Sequence, residues 1–185
     1  MKNNHKIITQ YKTILPLIRE YKKNGKKIVL TSGSFDMLHI GHCRYLHSAK
    51  KFGNILFVGV DSDKKIQKRK GMDRPVVPET ERLEMLTYIK DVDHVVLKNL
   101  DQPKWELIKI IKPDVLVTID ETYNEEQLNK LKKICGKIKI LKRKATTSTS
   151  AKIRLVQIGA ERKITKTIST RMIASMEKIL EELKG

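Results

Sequence analysis

Five short apolar runs alternate with stretches of helical periodicity along this chain, and no other feature restricts its fold as much. The runs are Ile28 to Thr31, Ile55 to Val60, His94 to Leu97, Val115 to Thr118 and Ile138 to Leu141. Between them, apolar residues at three- and four-residue spacing predict helices over about Gly41 to Lys51, Glu79 to Tyr88, Pro103 to Ile110 and Glu125 to Ile134. Short strands that are apolar along their whole length bury both faces, which is the condition of a parallel sheet covered by helices on each side. The predicted fold class is α/β, a doubly wound, Rossmann-like parallel sheet of five strands. Ligands of such sheets lie beyond the carboxyl ends of the strands, where the strand order reverses, so the residues after strands one, two, four and five are the first places to look for a site.

The flanks read differently. Ile7, Ile8, Tyr11, Ile14, Leu15, Ile18 and Tyr21 predict an amphipathic helix closing at Asn24-Gly25, with Pro16 placed to kink it. Lys64 to Lys70 reads as a basic loop. Past the last strand comes a helical extension with Met172, Ile173, Met176, Ile179, Leu180 and Leu183 on its apolar side and Ser169 as its N-cap, packing on its own domain or on a second subunit in a homodimer. The predicted division is residues 1–154, including the first helix, and 155–185.

Charge narrows the function classes. The 39 Lys and Arg against 21 Asp and Glu leave a net +18, which suits nucleic acid, an anionic surface or a phosphorylated ligand. Residues 1–27 carry +7 and residues 139–171 carry +9, whereas residues 28–138 carry only +3, so the excess lies mainly outside the strand-and-helix alternation. A nucleic-acid-binding module would set stacking aromatics beside those basic flanks. The flanks hold only Tyr11 and Tyr21, both on the apolar face of the first helix, and nucleic acid is not the expected partner. The longest apolar run, Ile55 to Val60, is far below the ~20 residues of a membrane span. The first residues lack the pattern of a secretory signal, so a cytoplasmic location is expected. Cys43 and Cys135 are far apart and without metal-site spacing, as for ordinary thiols.

The segment after the first strand concentrates the chemistry: Gly33-Ser34-Phe35-Asp36-Met37-Leu38-His39-Ile40-Gly41-His42. A strand end running into a helix start supplies unpaired backbone N–H groups and the positive end of a helix dipole, Gly41 permits close approach, and His39 and His42 add two donors. That combination suits a phosphate. No third ligand accompanies the two histidines, which argues against a metal site.

This motif, with Cys43-Arg44-Tyr45-Leu46 behind it, resembles the cytidylyltransferase-like branch of the HxGH nucleotidyltransferases. The similarity runs through Gly59-Val60-Asp61-Ser62-Asp63, Lys70-Gly71-Met72-Asp73-Arg74-Pro75, Pro78-Glu79-Thr80-Glu81-Arg82, Val92-Asp93-His94-Val95 and Lys112-Pro113-Asp114-Val115, and closes on Arg143 and Ser148-Thr149-Ser150. It covers about residues 7 to 154. Within the branch it is nearest to heptose-1-phosphate adenylyltransferases, with glycerol-3-phosphate and ethanolamine-phosphate cytidylyltransferases and FAD synthetases beside them.

The resemblance implies transfer of a nucleoside monophosphate from an NTP, ATP or CTP, to a small phosphorylated acceptor such as a sugar phosphate, with release of pyrophosphate. It implies that His39 and His42 hold the α- and β-phosphates, that Lys50 faces the phosphates or the acceptor, and that Arg82 and Lys70, within Lys68-Arg69-Lys70, bond phosphate oxygens. It places Gly33, Ser34, Phe35, Asp36, Gly41, Asp120 and Arg143 against the nucleotide, and Ser148 and Thr149 at a helix N-terminus beneath the β- and γ-phosphates. Mg²⁺ is the expected cofactor, with Asp36 as the residue that orients its own loop or approaches the ion. One departure stands out: Ile119 occupies a position after the fourth strand where relatives have glycine, and this bears on the choice of nucleotide.

Overall fold

The computed structural model describes residues 5–142 and 149–182, in two compact units, Met1–Thr146 and Thr147–Gly185. The first unit is built on a wholly parallel sheet of six strands: β1 (Ile7–Ile8), β2 (Ile28–Gly33), β3 (Ile55–Asp61), β4 (His94–Lys98), β5 (Val115–Ile119) and β6 (Lys137–Leu141), in the order β1-β4-β3-β2-β5-β6. Helices α1 (Ile14–Lys23), α2 (Ile40–Lys50), α3 (Asp63–Lys70), α4 (Glu79–Thr87), α5 (Glu106–Ile111) and α6 (Glu125–Lys132) accompany it. Val29, Leu46, Val58 and Leu86 belong to one buried cluster, and Ile18, Leu30, Phe57 and Ile111 to a second. Neighbouring residues of β2 (Val29 and Leu30) and of β3 (Phe57 and Val58) fall in different clusters, so both faces of the sheet are covered, as its apolar strands require.

The structure corrects the sequence reading in four places. Ile7 and Ile8 form a sixth strand on the edge of the sheet, paired with Val95 and Val96, because a two-residue strand is too short for alternation to separate it from a helical face. Helix α1 starts only at Ile14, which puts Pro16 in its first turn, where no intrahelical N–H is needed. The basic run after β3 is a helix, not a loop: Ser62 Oγ accepts the Lys65 N–H at 3.3 Å as N-cap, but Ile66 is its only apolar residue and leaves no period to read. In the second unit a single helix, α7 (Thr149–Glu182), runs through Ser169, so Ser169 is no N-cap. Its neighbour Thr170 instead donates its hydroxyl to the Lys166 carbonyl at 2.9 Å, the usual outlet for a mid-helix hydroxyl.

The strand order reverses between β2 and β5. Strand β2 pairs with β3 from Ile28 to Gly33 but with β5 only at Val29↔Val115 and Leu30↔Leu116. Past that point the Tyr45 hydroxyl stands between the strands, 2.7 Å from Thr31 Oγ1 and donating to the Val117 carbonyl at 3.2 Å. Burial pushes this phenol up to about 12, against a smaller lowering by the Thr31 hydrogen bond, so it stays a neutral bridge.

At the opposite end of β4, His94 is buried against Phe57 and its Nε2 is 2.7 Å from the Tyr21 hydroxyl, while its Nδ1 has no hydrogen-bond partner. Burial lowers its pKa below the ordinary 6.5. The folded chain therefore binds fewer protons here than the unfolded chain. Stability should hold above about pH 6.5 and fall as the pH drops below it. Denaturant midpoints measured from pH 7.5 to pH 5 should show this loss, and His94→Gln should flatten the profile over that interval.

Candidate active site

Strand β2 ends at Gly33, and the turn after it passes through two non-glycine residues with left-handed backbone, Phe35 (φ 49°) and Met37 (φ 51°). Such strain collects at functional turns. Phe35 is buried and its ring folds over Gly33, where a Cβ would come within 3.1 Å of a ring carbon, so a larger residue would have to push the ring aside. The same ring stands 5.5 Å from that of His42.

The turn delivers His39 to the N-cap of α2, and the three-residue spacing of the histidines then has a definite purpose. His39 Nδ1 accepts the Gly41 N–H at 3.1 Å, and His42 Nδ1 accepts the His39 N–H at 3.4 Å, so the two imidazoles form a reciprocal capping box. Their rings lie 4.0 Å apart. An imidazole that accepts at Nδ1 is neutral and carries its proton on Nε2. Both histidines are thereby held as Nε2–H donors at a helix N-terminus, the position suited to an anion.

Around this turn the chain gathers cations on carboxylates. Buried Asp36 pairs with the guanidinium of Arg74 and accepts the N–H groups of Val76 and Val77, each at 3.1 Å to Oδ1. Buried Asp61, the last residue of β3, accepts Lys98 Nζ and Arg69 Nη2, both at 3.0 Å, and Arg69 also donates to Ser34 Oγ at 2.8 Å. Burial works to raise the Asp61 pKa, but the adjacent Lys98 and Arg69 outweigh it and hold the carboxyl below its ordinary value. Lys65 and Lys70 are shifted down, first by burial and then by neighbouring cations, Lys98 for Lys65 and Arg69 and Arg74 for Lys70.

Arg82 is fully buried. It donates to the carbonyls of Ser34 and Val77 and, at 2.7 Å, to Asp63 Oδ1. Asp63 and Glu79 meanwhile cap each other, the Asp63 N–H reaching Glu79 Oε2 at 2.7 Å and the Glu79 N–H reaching Asp63 Oδ2 at 3.1 Å. Expected to bond phosphate, Arg82 has its guanidinium engaged by protein groups and ties the turn after β2 to the starts of α3 and α4.

Lys50 does not reach the site. It lies at the far end of the eleven-residue α2, about 15 Å from the helix start at ~1.5 Å per residue. There its ammonium pairs with Asp93 and bonds the Asn54 carbonyl. The sequence pattern set Lys50 on the right helix but could not say at which end its partner lay.

The topology brings Asp120, exposed just after β5, to the carboxyl edge of the sheet on the β5 side of the switch point. Arg143 and Ser148 lie outside the described residues; Thr149 opens α7, and its side chain is likewise outside them. Asp36 does not fit a role as metal ligand, because both of its oxygens are engaged by Arg74 and backbone N–H groups. Among the described residues no group of three or more His, Cys, Asp or Glu side chains is placed to hold a metal, and no helix is long and apolar enough to cross a membrane. Lys98 carries no signal in the sequence, because it follows the third of the five apolar runs, away from the expected switch point; only the register Asp61↔Lys98 brings it in.

Helix α2, which leaves β2 beside the switch point of a wholly parallel sheet and is capped by two Nε2–H imidazoles, has the arrangement expected of the HxGH nucleotidyltransferases. The chain belongs to the cytidylyltransferase-like family, which it matches over residues 30–176. It is 46% identical over 110 residues to the bifunctional protein HldE of a Nitratiruptor species, covering 60% of this chain and 24% of that protein. To the protein of the same name from Aliarcobacter butzleri it is 35% identical over 154 residues, covering 82% of this chain and 32% of that one. The chain thus spans about a quarter to a third of these curated relatives. Among solved structures it resembles the lipopolysaccharide core biosynthesis protein from Thermoplasma volcanium, with a TM-score of 0.56 and 28% identity over 66% of this chain and 99% of that one. The pantoate-beta-alanine ligase from Francisella tularensis shares the fold at a TM-score of 0.57 and 17% identity, over 78% of this chain and 68% of that one.

The reassigned cations separate experimentally. Arg82→Leu should cost about 3 kcal/mol of stability by stranding Asp63 and two carbonyls. Lys50→Met should cost about 1 kcal/mol and leave the KM for NTP unchanged, as denaturation and steady-state kinetics would show.

Proposed function

We propose that this chain transfers a nucleoside monophosphate, AMP by preference, from its triphosphate to a sugar phosphate. The observation that carries this is the imidazole capping box at the start of α2, which fixes two neutral donors where phosphate charge must be stabilised. An oxygen of the acceptor phosphate attacks the α-phosphorus in line, a new P–O–P bond forms, and the bond to the β-phosphate oxygen breaks as pyrophosphate leaves. No side chain has to act as a nucleophile, so catalysis consists of positioning and charge stabilisation. The Nε2–H groups of His39 and His42 donate to the phosphate oxygens on which charge builds.

The acceptor is read from the company the chain keeps. The sequence resembles heptose-1-phosphate adenylyltransferases, its curated relatives carry the name HldE, and one structural relative is a lipopolysaccharide core biosynthesis protein. A heptose 1-phosphate is therefore the proposed acceptor. Magnesium enters this proposal as the ion that accompanies the triphosphate on its own oxygens, not as one held by Asp36. The NTP it consumes and the sugar phosphates it would accept are metabolites of the cytoplasm, where the enzyme is proposed to work.

Pyrophosphate release should be measured with Mg²⁺ across the four NTPs against heptose 1-phosphate, glycerol 3-phosphate, ethanolamine phosphate and flavin mononucleotide. The expected pair is ATP with the sugar phosphate. Release with CTP and glycerol 3-phosphate would overturn the choice of substrates, and no release with any pair, alongside salt-sensitive oligonucleotide binding, would overturn the reading itself. His42→Ala should lower kcat by about a hundredfold or more while changing NTP affinity much less.

A further inference from the structure

We infer that Arg69, Lys98 and Lys65 form a second anion seat, separate from the histidine pair, which takes the phosphate of the acceptor. This rests on the proposed transfer and names the residues that would hold its second substrate. Three elements converge on one buried carboxylate: β3 supplies Asp61, β4 supplies Lys98, and α3 supplies Arg69. Lys65, one turn before Arg69 on α3, bears on the same group and reaches the Asn99 carbonyl at 3.5 Å. Asp101 is a further acid near Lys65. Arg69 and Lys98 are paired to one buried carboxylate with Lys65 beside them, so even with Asp101 counted three cations face two acids and positive charge is left uncompensated.

That excess is both positioned and accessible. Asp61 fixes Lys98 and Arg69 by direct ion pairs, and Gly59 gives the Lys98 stem its room: a Cβ there would stand 2.8 Å from Lys98 Cδ and 2.7 Å from Ser32 Oγ. Arg69 remains 54% exposed although it is paired, so its guanidinium can meet a ligand without leaving Asp61. It also bonds Ser34 Oγ, in the turn whose Phe35 packs on His42. The two seats are thus joined through Ser34 and Phe35.

The chemistry of the proposed transfer calls for two such seats. A phosphate dianion must be brought against the α-phosphorus of a polyanion, and the like charges repel unless cations lie with the acceptor as well as with the triphosphate. The histidine-capped helix serves one anion, and the Asp61 cluster is placed to serve the other. Asp61 acts as a positioning residue, holding the cations in place in the absence of substrate.

With ATP and heptose 1-phosphate, Arg69→Gln and Lys98→Met should each raise the KM for the sugar phosphate about tenfold and change the KM for ATP less than twofold, with Arg69→Lys recovering part of the loss. Binding of inorganic phosphate to the full chain by titration calorimetry at low salt should weaken in both variants and persist in His42→Ala. Arg69→Gln alters an exposed side chain and keeps the test usable if Lys98→Met fails to fold. A rise in the KM for ATP instead would assign the cluster to the triphosphate and overturn the inference, as would unchanged values in both measurements. If the wild type releases no pyrophosphate with any pair, the proposed function fails, and the phosphate titration still decides whether the seat exists.

Discussion

The parting of β2 and β5 is the constraint on which the rest of the site depends. Two adjacent parallel strands that hydrogen-bond along their whole length would leave no crevice. Here they register at only two residue pairs, and the Tyr45 hydroxyl takes up Thr31 and Val117 where the ladder ends. Because helices pass to opposite faces on either side of this point, the opening is bounded by the turn after β2 and the turn after β5. The strained turn at Phe35 and Met37 and the capped start of α2 occupy the β2 side.

Electrostatics then divides the cations into those consumed by structure and those left with charge to offer. Arg82, Arg74 and Lys50 are spent on holding loops and element ends together through Asp63, Asp36 and Asp93. Arg69 and Lys98 share the single buried carboxylate of Asp61, with Lys65 near it, and together retain an excess. A buried guanidinium with three protein partners and a half-exposed one with two look alike in sequence, yet the first positions a site and the second can bind at one.

Much of the fold was legible because its inner strands, β2 to β5, are apolar on both faces and its helices periodic. What escaped was short or polar: the two-residue strand at Ile7–Ile8 has too few residues to show a period, and α3 has one apolar residue in eight. The family resemblance and the histidine motif were legible for a different reason, since spacing along the chain is itself the capping geometry of α2. The roles expected of Lys50 and Arg82 were not legible, because each depends on a partner 43 or 19 residues away.

By itself, then, the sequence determined a doubly wound α/β chain with a phosphate-type helix start at His39 to His42, since both follow from patterns within a few residues of one another. Only the tertiary structure decided which cations lie at the same end of the sheet as that helix start and which are carried away from it. Lys98 sits beside Asp61 because β4 lies next to β3 in register, and Lys50 is removed from the site because α2 carries it to the other edge of the sheet. The net +18 of the chain says that anions are favoured in general; strand register and helix length select the few charges that can act on one.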